Sequence, residues 1–210
     1  RGIGERSQFI DPLNPSVGFL IDNVDFSGAG SIGTLFDVQQ VEVLRGPQGT
    51  RYGANGLAGL IHVKTNEPTE DFEGLVRLTG GDYGHRGAGA VLSGALSDGA
   101  LARVAVEKVS SDGYVRNDHL GRDDTNDKDE LTFRGRLHLL ASDDATVKLS
   151  YMHVDVDNGY DAFSLDNTRR TRSDQPGHDR QDSDAFGLDA TWLWGDLSVQ
   201  VIGAASSSDI

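Results

Sequence analysis

Several stretches of this 210-residue chain carry the residue types of a chemical site. Residues 28–33 read GAGSIG, the GxGxxG spacing of a dinucleotide loop, in which glycines let backbone amides approach a pyrophosphate. That chemistry needs a strand before the loop, a long helix after it, and an acid about twenty residues further on. Here Val41 already reads as strand, Pro47 follows soon after, and position 50 is Thr. A plain glycine loop is the better reading. The segments DDTNDKDE (123–130) and DVDNGYD (155–161) offer oxygen ligands like a calcium loop. An EF-hand count from Asp155 puts Tyr160 where glycine is needed and Asp166 where glutamate is needed, so they read as solvated acidic loops. The histidines at 62, 85, 119, 138, 153 and 178 show no metal-ligand spacing. The arginines of SLDNTRRTRSDQPGHDRQD (164–182) could meet an anionic ligand or simply solvate a loop. No nucleophile–base–orienter set is present, so no catalytic residue, metal or cofactor is assigned and an enzyme is not expected.

Composition narrows the field further. The net charge is −14, and a nucleic-acid partner is excluded because no basic surface is available to replace phosphate counterions. There is no cysteine, which removes disulfides, thiolate metal sites and thiol nucleophiles. No apolar run approaches the ~18 residues of a spanning helix. The chain begins and ends abruptly and reads as a piece of something longer.

The elements that would position any site fall into two regions. Up to about residue 68, short strand-like pieces (16–24, 41–46 and 59–65) alternate with Gly, Pro, Asn and Ser clusters, and 33–40 has the look of one or two helical turns. From residue 72 the pattern predicts seven strands, at 72–80, 87–97, 100–110, 130–141, 145–156, 184–194 and 197–207. None contains proline. In the fourth, Leu131, Phe133, Leu137 and Leu139 oppose Thr132, Arg134, Arg136 and His138. In the sixth, Phe186, Leu188, Ala190, Trp192 and Trp194 oppose Gly187, Asp189 and Thr191. Tight turns (SDG, SDD, WGD) alternate with longer polar loops at 81–86, 111–129 and 157–183. A meander with short turns at one end and long loops at the other is the pattern of an outer-membrane β-barrel. A soluble antiparallel sheet also alternates, but has no reason to sort its long loops to one edge. In a barrel, Trp192 and Trp194 belong to an interfacial aromatic girdle facing outer-membrane lipid.

The densest glycine text lies between two strand-like pieces: Gly46, Gly49, Gly53, Gly56 and Gly59, inside VEVLRGPQGTRYGANGLAGLIHVKT (41–65). This stretch resembles the plug domain of TonB-dependent outer-membrane receptors, whose usual text runs V/I-E-V-L-R-G-P, then Y-G, then G-G-x-I-N-I-x-T. RGIG (1–4) and SVGFLIDNV (16–24) are similar to upstream plug elements. Ala58 stands where a second glycine is common, His62 where asparagine is common, and Gln39 and Gln40 replace a more usual charged or aliphatic pair.

The resemblance implies a mainly β fold. Residues 1–68 would be the C-terminal part of a small α+β plug, and 72–210 the first seven antiparallel strands of a 22-stranded transmembrane barrel. Glycines would then serve tight turns and close backbone approach in a crowded lumen. Arg45 would pair with barrel-wall glutamates in later strands, or stay on the plug surface with a local partner such as Glu42. The implied function is ligand-gated active transport across the outer membrane of a Gram-negative bacterium, most often of a ferric siderophore. The implied partners are TonB, with ExbB and ExbD. Cobalamin or an oligosaccharide is the alternative cargo; a passive porin or surface-binding barrel is the rival class and would lack the plug text. Strand 72–80 would run outward, making the three longer loops extracellular. The ligand-binding residues are not identified by the resemblance.

Overall fold

The structure is a computed structural model that describes residues 16–27, 34–52, 56–161, 164 and 168–210. The first described region builds a small four-stranded sheet from β1 (Val17–Ile21), β2 (Val24–Asp25), β3 (Val38–Arg45) and β4 (Gly59–Thr65). Its order is β2-β1-β4-β3. Strands β1 and β4 are parallel, and the other pairs are antiparallel. Most of β4 is buried, as expected of an interior strand covered on both faces. Residues 34–37 form no helix: the chain runs through a turn at Phe36–Asp37 directly into β3. The expected helical turns over 33–40 are therefore replaced by turn and strand, because Val38 to Arg45 has a partner in β4 that fixes it as an extended segment. The described helix is α1 (Gly49–Tyr52), a single turn between β3 and β4.

The second region is a seven-stranded antiparallel meander. Its strands are β5 (Glu73–Gly80), β6 (Arg86–Ser97), β7 (Ala100–Ser111), β9 (Lys128–Ser142), β10 (Ala145–Tyr160), β12 (Gly177–Trp194) and β13 (Leu197–Asp209), paired in chain order. All seven predicted strands are present. The later ones run further than the alternation indicated, and β12 begins at Gly177 because its polar first half pairs with β10 up to Tyr160. The long loops are correspondingly shorter, and two of them pair with each other: β8 (Arg116–Asn117) lies parallel to β11 (Arg170–Thr171). Residues 155–160 thus belong to a strand, and the expected solvated loop there is corrected.

The two sheets pack face to face. Ile21, Val24, Phe26 and Val63 of the small sheet form one apolar cluster with Met152, Val154, Val156 and Ala185 of the large one. A second cluster sets Phe36 against Val91 and Ala105. The opposite face of the large sheet is apolar and bare. Val76, Leu78 and Trp194 are 77%, 78% and 81% exposed, in a field that includes Leu92, Val104, Phe186, Leu188, Trp192, Val199 and Val201. Such a surface is the reverse of a soluble sheet, whose uncovered face is polar.

Gly89 marks how closely the sheets approach. A Cβ there would lie 2.7 Å from the Phe36 ring, which the guanidinium of the neighbouring Arg77 also covers at 4.4 Å from the centroid. Replacing Gly89 with Val in the full-length protein is expected to force Phe36 off the wall and cost about 1–3 kcal/mol. Equilibrium unfolding in denaturant measures this, and an unchanged midpoint would show that the ring has room to move.

Candidate functional site

The inward face of β7 and β9 carries three arginines. Strand pairing sets Arg103 directly opposite Arg136, and Arg134 two pairs further along on the same face, opposite Ala105. Like charges in register on a half-covered face are unfavourable unless something neutralises them. The small sheet and the segment after it supply the partners.

Asp37 sits at the turn before β3 with φ 54°, a conformation that aspartate tolerates better than most side chains. Arg103 donates to it through both Nε (2.9 Å) and Nη2 (2.6 Å), a bidentate pair with both side chains nearly buried. Asn66 Nδ2 also donates to Asp37 (2.8 Å), which ties β3 to the chain leaving β4. Arg134, 6% exposed, donates to the carbonyls of Phe36 (2.5 Å) and Thr34 (3.1 Å). Its charge faces backbone dipoles, with Asp22, Asp37 and Glu107 as the surrounding carboxylates.

Arg136 gathers the end of β4. It donates to Thr65 O (3.0 Å), Thr65 Oγ1 (2.9 Å) and Glu67 Oε1 (3.2 Å), and lies 3.5 Å from Asp22. Asp22 itself accepts from Thr65 N and Oγ1 at 2.9 and 2.8 Å. Glu67 is further flanked by His138 Nε2 (2.7 Å) and Lys148 Nζ (3.6 Å). The His138 contact is close but departs from hydrogen-bond alignment. That contact, with Arg136 and Lys148, holds the Glu67 carboxyl down to about 2, against the opposing effect of burial. Beyond it, Thr69 N and Oγ1 both donate to Ser93 Oγ (2.9 and 2.8 Å), and Ala95 N donates to Glu70 O (3.2 Å). Residues 34–37 and 65–70 are thereby laced across the large sheet from β6 to β10.

The residues singled out by sequence lie elsewhere. Glu42 pairs within the small sheet, with Lys64 at 2.8 Å and His62 at 3.5 Å, and not with any described strand of the large one. Burial and the Lys64 charge push the His62 pKa below the ordinary histidine value, with Glu42 and Asp22 opposing. Arg45 is exposed and makes no ion pair among the described residues. Gly46 has φ 91° with open space around it, so its constraint is backbone conformation and not crowding. Gly59 is the crowded one: a Cβ would sit 2.6 Å from Leu44 O on the neighbouring strand. Gly49 is open, Gly56 packs on Gln48, and Gly53 lies outside the described residues, as do GAGSIG (28–33) and RGIG (1–4). Trp192 and Trp194 stand on the outward face beside the turn at 195–196. Among the described residues, His153, Asp182 and Asp184 bring ligand atoms within 4.8 Å of one another, but Asp184 already accepts from Tyr151 OH (2.6 Å) and lies 3.2 Å from His153. The residues that sequence reasoning missed are Asp37 and Glu67, and the visible signal for them was the inward cationic row Arg134, Arg136 and His138.

The Glu67 contacts give a pH dependence with a definite sign. A depressed carboxylate stabilises the folded state fully above its ordinary value of 4.5 and loses that contribution as pH falls through about 2. Because the side chain is partly exposed, the magnitude is about 1 kcal/mol after screening. Glu67→Gln in the full-length protein is expected to be the less stable at pH 5 and to converge with the parent near pH 2. A constant difference in urea midpoint over that range would contradict the assignment.

Comparison with known proteins accords with this architecture. The family model of the TonB-dependent Receptor Plug Domain matches residues 1–60. The pesticin receptor of Yersinia pestis is 34% identical over 125 residues, which is 59% of this chain and 18% of that protein. A vitamin B12 transporter of Vibrio vulnificus is 28% identical over 147 residues, covering 67% of this chain and 24% of that protein. In three dimensions, the ferric yersiniabactin uptake receptor of Yersinia pestis superposes with a TM-score of 0.82 at 24% identity, over 93% of this chain and 32% of that structure. The chain therefore spans less than a third of the length of each of these relatives. Residues 1–60 thus match the plug domain of TonB-dependent receptors, and the chain as a whole is similar in fold to the plug and adjoining wall strands of such a receptor.

Proposed function

We propose that the protein containing this chain is a gated active transporter of the outer membrane. In this reading residues 1–68 are the C-terminal part of the plug and 72–210 the first seven strands of a barrel, which in this family has 22. The observation that carries it is the pairing of faces: a polar, arginine-lined inner face covered by the plug, and an apolar outer face left bare. That combination suits a sheet with lipid outside and a plugged aqueous channel inside.

The outer face also has the dimensions of a bilayer. On β12 it runs from Phe186 to Trp194, eight residues apart in the sequence. At ~3.4 Å per residue and a tilt of ~40°, this spans about 21 Å, close to the ~25 Å apolar band of outer-membrane barrels. Trp192 and Trp194 would form the inner aromatic girdle. Phe133, Tyr151 and Phe186, whose rings stack across β9, β10 and β12 at 5.9 and 4.8 Å, would form the outer one. Just beyond them the outward residues turn polar at His153, Asp182 and Asp184.

The cargo we propose is a ferric siderophore, the reading supported by likeness to a ferric yersiniabactin uptake receptor. Cobalamin is the second reading, supported by likeness to a vitamin B12 transporter. TonB, working with ExbB and ExbD, would supply the force. The plug is held mainly by hydrogen bonds and ion pairs, which water can replace as segments slide past the wall. No bond-making chemistry is needed.

Two measurements test this. Growth on ferric siderophores under iron limitation is expected to require both this receptor and TonB; receptor-independent growth, or growth with cobalamin alone restored, would move the assignment. This chain has no cysteine, so in a receptor without other cysteines a single introduced thiol reports topology. A membrane-impermeant maleimide is expected to label Asp123→Cys in intact cells and Asp196→Cys only after permeabilisation. The reverse pattern would invert the barrel.

A further inference from the structure

Three loops meet at the long-loop end around two tyrosines and an arginine. The turn between β5 and β6 holds Tyr83 at φ 59° and Gly84 at φ 65°. Gly81 N donates to His85 O (2.9 Å) and His85 N to Asp82 O (3.2 Å). Two successive positive φ values define the hairpin turn whose first central position favours Asn, Asp or Gly. A tyrosine there is strained, and strain of this kind collects where a side chain must be displayed.

The turn is pressed onto the second loop. Asp112 N donates to Tyr83 O (2.9 Å), and a Cβ on Gly84 would meet Asp112 Oδ2 at 2.2 Å. The Tyr83 and Tyr114 rings meet edge to face at 6.3 Å, yet remain 53% and 56% exposed. Arg169, from the third loop, donates Nη1 to Tyr83 OH (3.0 Å) and holds its guanidinium 5.7 Å from the Tyr114 ring centre.

Hydrogen bonds tie the second and third loops together. Arg116 N donates to Arg169 O (3.0 Å) and Asp118 N to Thr171 O (2.9 Å). Beneath them a single carboxylate oxygen of Asp161, which is 3% exposed, accepts from Asn117 Nδ2 (2.8 Å), Thr125 Oγ1 (2.6 Å) and Thr171 Oγ1 (2.8 Å). Asp82 and Asp112 lie in the same loops, so the charge that stands out is Arg169 alone. Arg116 and Arg170 share Asp118, at 3.3 and 3.4 Å, while Arg169 has no carboxylate within 4.0 Å among the described residues.

We infer that Tyr83, Tyr114 and Arg169 form a recognition site for a small ligand that carries an aromatic ring and a negative charge. The ring packs on the exposed tyrosine faces, and the anionic oxygen takes the free guanidinium donors. The site deepens the transport reading and rests on its assignment of the long loops to the cell exterior.

The test uses the full-length receptor and three iron complexes. Ferric catecholate is anionic and aromatic, ferric citrate anionic without a ring, and ferric acetohydroxamate neutral without one. Tyr83→Asn suits the strained turn and removes the ring; Arg169→Gln removes the charge. Binding followed by fluorescence quenching is expected to favour catecholate in the parent. Y83N should weaken catecholate at least tenfold while leaving citrate unchanged and the unfolding temperature equal or higher. R169Q should weaken both anions. Equal catecholate affinity in the parent and Y83N, or a parent that binds catecholate no better than acetohydroxamate, overturns the inference. Failure of TonB-dependent uptake with the binding pattern intact would overturn the transport reading alone.

Discussion

Three guanidinium groups on the inner face of two adjacent strands are the constraint around which this structure is organised. Arg103 and Arg136 are direct cross-strand partners, and Arg134 stands two residues along, next on the same face. Their mutual repulsion is relieved by groups from the plug: the carboxylates of Asp22, Asp37 and Glu67, and the carbonyls of Thr34, Phe36 and Thr65. Neither side is complete alone. A wall without the plug would leave these three cations with only Glu73 and Glu107 nearby among the described carboxylates, and a plug without the wall would leave its turn at Asp37 and the exit from β4 without their main donors.

Such an interface trades strength for register. Burying an ion pair is offset largely by desolvation, so the clamps add modest stability, yet removing one partner leaves a charge that is expensive to keep dry. The dry contacts are small by comparison: the cluster of Ile21, Val24, Phe26 and Val63 on β10 and β12, and Phe36 set against Val91, Ala105 and the Arg77 guanidinium of the wall. A plug seated in this way has one well-defined position but no large apolar core to pull apart. That is a physical property suited to the gated transport proposed above.

Sequence reading reached the wall more readily than the plug, for reasons rooted in period. The alternation of Leu131, Phe133, Leu137 and Leu139 with Thr132, Arg134, Arg136 and His138 is a local property of one strand, and the structure keeps it. Polar stretches such as 177–183 were passed over as loop because both faces of a strand near water can be polar; only pairing with β10 makes them strand. The segment 33–40 carries no strong local preference, and its extended form is set by β4, which follows it in the chain. Arg45 lies in a distinctive motif, whereas Asp37 and Glu67 sit in unremarkable text whose meaning depends on arginines 66 and 69 residues further along.

The claim that the plug is positioned by reciprocal charge compensation is tested most directly by a double-mutant cycle on Asp37 and Arg103. The parent, Asp37→Asn, Arg103→Met and the double variant of the full-length receptor would be compared by equilibrium unfolding, with hydrogen exchange in β3 as a local readout. Each single change should destabilise the plug, and the double variant should lose less than their sum, with a coupling of about 1.5–3 kcal/mol for a charged, bidentate pair. Additivity within about 0.5 kcal/mol would contradict the account, because independent groups cannot be the pair that seats the plug.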